Sequence, residues 1–385
     1  MNASFKIENT TIQYSTDELA ADGLTIQSTP YNYSVSFLNE KNLKAGLKKI
    51  KDINTGKHFA FVDSVVASMY GKTLLNDVEL FPLLARENNK TLKVTTKLLD
   101  QLQKKNFTKK ETFLTIGGGI TQDISSFARA VFKRGIRWTY LPTTLLAMSD
   151  SCIGAKACLN YGDVKNLLGL FSAPHEVLIY PGFLKTLSKR DILSGYGEII
   201  KLSIVGGLSG IETFKAIRQK QDGNFLKNIE QMTMLSLLVK KAVIEKDEYE
   251  KNIRKALNYG HTIGHAIEPL VNYKIPHGVA VSIGMIIENQ IAVKWGSLSK
   301  QEANELNRLI APFIDELSLE FLKKVSAEAI IKNMMQDKKT LNNDIYLAVP
   351  LKIGHFDMIK IQSDKSFSDY LSSILKELRV SARHS

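Results

Sequence analysis

Residues 112–123 read TFLTIGGGITQD: an apolar run, three glycines, then a polar opening to a further apolar stretch. TFLTI is short, rich in β-formers and closed by glycine, which predicts a buried strand, and a helix is expected to begin near Asp123. Between them Gly117, Gly118 and Gly119 leave the backbone unhindered where a pyrophosphate could approach a helix N-terminus. The motif is not GxGxxG, and a glycine cluster at a strand end serves equally as a tight turn.

Working outward, HFAFVD (58–63) reads as a buried strand, LDQLQKKNF (99–107) as the end of a helix, and IRWTYLP (136–142) as a strand closed by a turn. Strands separated by helical segments predict an α/β fold with a Rossmann-like parallel sheet and helices on both faces. Beyond Pro181 the pattern turns helical, with stretches expected at 190–204, 225–252, 254–270, 278–296 and 300–335. The expected organisation is an N-terminal extension over 1–30, an α/β domain over 31–181 and an α-helical domain over 182–385, with a cleft between the domains. Asp63 closes the first strand, where it could meet a ribose hydroxyl or cap the following helix.

A chain of 385 residues, 44% hydrophobic and 23% charged, has length for two domains around a large core. Its two cysteines, Cys152 and Cys158, imply no disulfide framework; they are expected to be packing residues in a reducing cytoplasm. No run approaches the roughly 20 apolar residues of a membrane span, and the N-terminus lacks a basic start followed by an apolar stretch. A cytoplasmic protein with no membrane partner is therefore expected. The net charge of +12 suits nucleic acid, an acidic membrane or an anionic small molecule. Lysines are spread through mixed-sign segments such as KKAVIEKDEYEKNIRK, without a basic block or interleaved aromatics, so no nucleic-acid partner is expected.

The second half carries a sharper pattern. In IRKALNYGHTIGHAIEPL (253–270), Arg254, Asn258, His261 and His265 are spaced 4, 3 and 4 apart, so a helix through them would gather all four on one face. His277 follows a turn at Pro276 and could close on the same place. In SGYGEIIKLSI (194–204), Glu198 and Lys201 stand at i and i+3 among apolar neighbours. One carboxylate with two imidazoles suits zinc or another borderline divalent ion with positions left open. Each residue taken singly reads equally as a capped or hydrogen-bonded structural residue. A third cluster, FKRGIRWTYLPTTLLAMSDSCIGAKACLNYGDVKNLLG (132–169), holds Arg134, Asp150, Lys156, Lys165 and Asn166. Cations and amides beside a glycine-bearing loop would serve a phosphate ester and a carboxylate. Solvated surface is the bland reading, but the apolar PTTLLAM and NLLGLF make unpartnered charge costly there.

In order and spacing, from about Tyr31 to Leu351, these motifs resemble 3-dehydroquinate synthase and its sugar phosphate cyclase relatives. The resemblance implies an NAD-binding domain over 31–181 and a metal- and substrate-binding domain over 182–385. The family's cofactor-holding acid and lysine fall on Glu87 and Lys90 in RENNK. Its glycine loop falls on GGGITQD with Gly118, Gly119 and Asp123, its ADP-contacting threonines on Thr143 and Thr144, and its nicotinamide border on Thr186 and Leu187. Asp63 joins this cofactor set. The metal ligands carried over are Glu198, His261 and His277, for zinc or cobalt. The substrate set falls on Arg134, Asp150, Lys156, Lys165, Asn166, Lys201, Lys240, Arg254, Asn258 and His265, with Lys339 of DKK as a further candidate. Arg254's counterpart is taken to reach a neighbouring subunit's phosphate site, which implies a homodimer.

The reaction implied converts 3-deoxy-arabino-heptulosonate 7-phosphate to 3-dehydroquinate and phosphate. It proceeds by transient oxidation with NAD, phosphate elimination, reduction and intramolecular aldol closure, without net redox change. It belongs to the shikimate pathway of aromatic amino acid biosynthesis. Departures from the family pattern are Arg86 and Gln122 at positions usually glycine, Ala155 and Ala157 around Lys156, and Val279 at a usual glutamate, which removes a possible outer partner of the metal. VDSVVASMYGKTL and SDSCIGAKACLN are similar to secondary-metabolism cyclases, so an amino analogue, sedoheptulose 7-phosphate (valiolone type) or glucose 6-phosphate (deoxy-scyllo-inosose type) stand as alternatives. Asn258, His265 and Lys240 follow the dehydroquinate pattern. A metal-dependent NAD alcohol or glycerol dehydrogenase is a remoter reading, since a small neutral alcohol has no use for so many cations.

Overall fold

The computed structural model describes residues 2–29, 31–54, 59–162, 164–220, 225–335 and 344–381. The chain divides into two compact units, Ala20–Leu187 with Asn224–Thr233, and Met1–Leu19 with Ser188–Gly223 and Met234–Ser385. It opens on β1 (Asn2–Ile7) and β2 (Thr10–Ser15), an antiparallel pair that buries Ala3, Phe5, Ile7, Ile12 and Tyr14 at alternate positions. The segment 1–30, expected to precede regular structure, thus holds regular strands, and its first nineteen residues belong to the helical unit. Its period-two alternation is what a half-buried strand pair requires.

The first unit continues through β3 (Gly23–Ile26), β4 (Tyr33–Phe37), α1 (Glu40–Ile53), β5 (Phe59–Asp63), α2 (Ser64–Tyr70) and β6 (Glu79–Leu83). Then follow α3 (Leu92–Lys104), β7 (Thr112–Gly117), α4 (Gly119–Val131), β8 (Arg137–Pro142), β9 (Lys156–Tyr161), β10 (Val164–Phe171) and β11 (Glu176–Ile179). Seven strands form one sheet in the order β3-β4-β11-β8-β7-β5-β6, parallel except for β3 on β4. β7 is buried at every position, as a central parallel strand must be. The strand order turns at β5, with β6 on one side and β7 on the other, so the carboxyl ends of β5 and β7 mark the switch point where α/β sheets take their ligands. Asp63 and the glycine loop stand at those two ends. The helix after the loop begins at Gly119, four residues before Asp123, because Gly118 and Gly119 adopt the cap and first turn themselves.

The second unit contains α5 (Lys189–Val205), α6 (Gly207–Arg218) and, from Met234 onward, α7 (Phe225–Ile244). It continues with α8 (His261–Leu270), α9 (His277–Lys294), α10 (Lys300–Ile310), α11 (Glu316–Leu322), α12 (Ala327–Met335), β12 (Asp344–Lys352), β13 (His355–Gln362) and α13 (Lys365–Ser381). α9 is buried around its whole circumference, the mark of a central core helix. Beside these helices, β12 and β13 pair with the N-terminal strands in a sheet of order β12-β13-β1-β2. The single stretch expected over 300–335 is three helices. Pro312 lies just beyond α10, and Asp315 restarts the chain by capping Ser318 N–H. Among the described residues no helix is long and apolar enough to cross a membrane.

Candidate active site

In the helical unit, two glycine contacts bring three helices together. A Cβ on Gly278 would lie 1.8 Å from Ser194 O, and one on Gly197 2.0 Å from Gly278 O, so α5 and α9 touch backbone to backbone. A Cβ on Gly284 would lie 2.0 Å from Gly260 O, which draws the start of α8 onto α9 in the same way. Glu198 follows Gly197, His277 precedes Gly278 and His261 follows Gly260, so each close approach delivers one polar side chain to a common point.

There Glu198 is fully buried, with His277 Nε2 at 3.2 Å and His261 Nε2 at 3.6 Å from Oε1, and Lys201 Nζ at 2.5 Å from Oε2. Lys201 and His277 are thus the close charged partners of this wholly buried carboxylate. Burial would raise the Glu198 pKa, but Lys201 and His277 hold it well below the ordinary carboxylate range. Burial works against charge on His277 too, yet Glu268 and Glu198 raise it to about 9. Such a site attracts positive charge. His265 stands in the same group, and His261, His265 and His277 each bring a ligand atom to within 4.8 Å of the others. One carboxylate and three imidazoles drawn together in this way fit a borderline divalent cation.

Arg254, Asn258, His261 and His265 do not share one helix. Arg254 and Asn258 lie in a 3-10 turn, Ile253–Asn258, and the chain breaks at Gly260 (φ 78°) before α8 begins. Asp247 accepts from the N–H groups of Lys251, Asn252 and Arg254, which stabilises the separate turn. Arg254 is 2% exposed and its guanidinium donates to Glu248 O of its own chain. Asn258 donates to Glu250 Oε1 at 2.7 Å. Lys201 and Lys240 are buried in this unit with Arg254. Lys339 lies outside the described residues.

In the α/β unit, Gly118 caps α4, and a Cβ there would strike Thr144 Cγ2 at 2.9 Å. A Cβ on Gly119 would have only Ser151 Oγ near it, at 3.8 Å, so the backbone at the start of α4 is open to an anion. Thr143 N–H donates to Gly117 O, and Thr144 Oγ1 accepts from Ala147 N–H, which joins the ends of β7 and β8. Lys90 Nζ stands 2.5 Å from Asp123 Oδ2 and donates to Asn166 Oδ1 at 2.8 Å. Burial opposes the Lys90 charge, but the Asp123 carboxylate outweighs it and holds the ammonium above the ordinary lysine pKa. Cys158 completes the cluster: burial, then Asp123, push its thiol up to about 12, so it stays protonated and donates to Asn166 Oδ1. Glu87 Oε1 accepts from Asn160 Nδ2 at 2.9 Å. Asp63 is used as the cap of α2, accepting from Val65 and Val66 N–H. Thr186 Oγ1 meets Tyr70 OH at 2.8 Å, and Leu187 N–H donates to Leu184 O. Lys156 opens β9, Lys165 lies in β10, Asp150 sits in the π-helical turn Ala147–Ser151, and Arg134 is exposed at the left-handed corner before β8.

Four residues of these sites escaped the sequence reading. Glu268 contacts His277, Asn160 ties Glu87 to β9, Cys158 joins the Lys90 cluster, and Glu288 Oε2 accepts the Gly260 N–H at 2.6 Å at the start of α8. Glu268 had a signal, since it lies seven residues after His261 and three after His265 on one helical face. The others had none.

Sheet and donor cluster together define a class, enzymes that join a Rossmann-like unit to a helical unit bearing a metal-type donor set. The 3-dehydroquinate synthase N-terminal model matches residues 80–194 and the 3-dehydroquinate synthase C-terminal model residues 195–340. The chain is 33% identical over 345 residues to 3-dehydroquinate synthase of Prochlorococcus marinus (strain MIT 9312), covering 87% of this chain and 93% of that protein. It is 34% identical over 288 residues to 3-dehydroquinate synthase of Streptococcus equi subsp. equi (strain 4047), covering 74% and 79%. The chain belongs to the 3-dehydroquinate synthase family. Among solved structures, 2-deoxy-scyllo-inosose synthase shares the fold with TM-score 0.75 at 21% identity, covering 93% of this chain and 99% of that one. So does 2-epi-5-epi-valiolone synthase from Streptomyces hygroscopicus subsp. jinggangensis 5008 with NAD+ and Zn2+ bound, with TM-score 0.74 at 22% identity, covering 92% and 99%.

Proposed function

We propose that the protein is a sugar phosphate cyclase of the 3-dehydroquinate synthase type, a phosphate-eliminating lyase that takes 3-deoxy-arabino-heptulosonate 7-phosphate to 3-dehydroquinate. The observation that carries this reading is Glu198, fully buried in a chain of that family, with two imidazoles facing one oxygen and Lys201 beside the other. NAD and one divalent ion, zinc or cobalt, would supply reversible hydride transfer and polarisation of substrate oxygens. Glu198, His261 and His277 would hold the ion, and His265 stands close enough to serve it or the substrate. Glu87, Lys90, Asp123, Thr143 and Thr144 would fix the dinucleotide over Gly118 and Gly119, with Thr186 and Leu187 at its border.

The chain's own groups then bind and orient. Lys201 offsets the Glu198 charge and can donate to a substrate oxygen. Lys156 and Lys240 would hold substrate anions, while Arg134, Asp150, Lys165, Asn166, Arg254, Asn258 and His265 position the phosphate and hydroxyls. Holding one substrate through several steps makes positioning the main contribution of the protein. Three buried cations, Lys201, Lys240 and Arg254, favour an anionic substrate over a neutral alcohol. A homodimer, as the resemblance implies, and a cytoplasmic location, consistent with two free cysteines, belong to the same proposal.

Purified protein is incubated with NAD, zinc or cobalt and each candidate sugar phosphate, and phosphate release and the cyclic product are followed. Release from 3-deoxy-arabino-heptulosonate 7-phosphate alone is expected. Release only from its amino analogue, from sedoheptulose 7-phosphate or from glucose 6-phosphate would reassign the substrate, and accumulation of free NADH would favour a dehydrogenase. Sedimentation velocity reads the dimer.

A further inference from the structure

Gln122 stands where the family resemblance leads one to expect glycine, and its side chain is 4% exposed. Its amide makes a reciprocal pair with one residue: Gln122 Nε2 donates to Ser151 O at 2.7 Å, and Ser151 Oγ donates to Gln122 Oε1 at 2.7 Å. A glycine there could make neither bond. The amide both donates and accepts here, whereas an ionised carboxylate would face the Ser151 carbonyl with like polarity.

The two ends of this clasp lie on different functional segments of one unit. Gln122 is in the first turn of α4, between Gly119 and Asp123, on the side proposed for the dinucleotide. Ser151 ends the π-helical turn Ala147–Ser151 and directly follows Asp150, proposed for the substrate; π-turns of this kind are frequent at functional sites. Past Ser151 the chain runs through Gly154 (φ 93°) and Ala155 (φ 61°) into Lys156, a second proposed substrate residue. Ser151 Oγ also stands beside the open face of Gly119. The glycine loop and the Asp150 segment are thus fastened to each other by two hydrogen bonds that the cap and strand bonds of neither segment require.

We propose that Gln122 is a positioning residue of this chain: it locks the Asp150–Lys156 segment to the glycine loop, so that a dinucleotide on the loop orders the substrate-holding segment and raises its affinity. This rests on the reading given above. Ordering one segment by binding at another is a coupling between sites, and a coupling works in both directions.

The test is hydrogen exchange of the full chain with and without NAD, in the native protein, Gln122→Ala and Ser151→Ala, followed by steady-state kinetics. In the native protein NAD is expected to slow exchange at 117–123 and also at 147–156. In both variants protection at 117–123 should persist, while that at 147–156 is lost in Gln122→Ala and reduced in Ser151→Ala, which keeps the bond to its backbone carbonyl. Substrate KM should rise about tenfold, with NAD affinity within about twofold, as for the loss of a hydrogen bond or two at about 1 kcal/mol each. Ser151→Thr, which keeps the hydroxyl and the carbonyl, should restore the coupling. Protection of 147–156 by NAD that survives in Gln122→Ala overturns the proposal, as does protection at 117–123 alone in the native protein. No protection anywhere would instead bring down the dinucleotide reading, and the coupling with it.

Discussion

Glu268 Oε1 lies 3.1 Å from His277 Nδ1, and this carboxylate is 3% exposed. The pairing holds the ring with Nδ1 toward Glu268 and Nε2 toward Glu198, so that Nε2 is the atom that would give up its proton to a cation bound there. It occupies, from a different helix, the role that Val279 cannot fill. Glu268→Ala is expected to weaken zinc or cobalt affinity roughly 10–100-fold, and Glu268→Gln less, because its amide oxygen can still accept the proton. Competition against a chromophoric chelator reads both, and equal affinities in all three proteins would remove the role.

His261→Ala should abolish both metal retention and turnover. Protein stripped of metal and reconstituted is analysed for metal content and phosphate release. Retention of both would dissolve the proposed donor set.

His277, with its pKa raised to about 9, gives the metal-free protein a pH signature. The group is raised above its unfolded value near 6.5, so its contribution to stability is complete below that value and is lost as pH climbs through 9. Thermal unfolding of metal-free protein should therefore fall in midpoint between about pH 6.5 and pH 9. Zinc-loaded protein, whose histidines are held neutral by coordination, should lack that decline. A flat metal-free profile would contradict the assigned environment.

Gly278→Ala places a methyl 1.8 Å from Ser194 O, a backbone atom that cannot swing aside. We expect α9 to be pushed off α5, at about 3 kcal/mol or more of stability, with metal affinity lost because Glu198 and His277 move apart. Urea unfolding and metal titration measure the two effects. A variant with native stability would show that the helices separate easily.

Lys90→Met strands the Asp123 carboxylate in a largely buried setting. Breaking such a pair is expected to destabilise by about 3–5 kcal/mol near pH 8. The loss should shrink by pH 5, since an unpartnered buried Asp123 has its pKa raised and can take up a proton there. Urea melts at the two pH values test the direction, and a deficit that grows on acidification would refute it.

Much of the α/β unit was legible because its signals are local. TFLTI and FAFVD are central parallel strands, and central strands must be apolar on both faces whatever surrounds them. Glu198, His261 and His277 were legible as ligand types, and the family resemblance selected them. Other features were not local. KIENTTIQYS reads as a polar opening until β13, some 350 residues later, lies alongside β1 and gives its apolar face a core to cover. Spacing suggested one helix through Arg254 and His265, but Gly260 breaks it, since Met285 and Val281 crowd the point where a Cβ would sit.

By itself, the sequence determined the alternating pattern of the sheet, the glycine turn after β7 and the kinds of donor available, because periodicity and residue chemistry are properties of short stretches. Only the tertiary structure decided which donors meet. Glu198 reaches His277 because Gly197 and Gly278 let two backbones touch, Glu268 reaches it from a third helix, and Gln122 finds Ser151 across a turn. Such contacts depend on the separation of helix axes, a few ångströms that no spacing along the chain encodes.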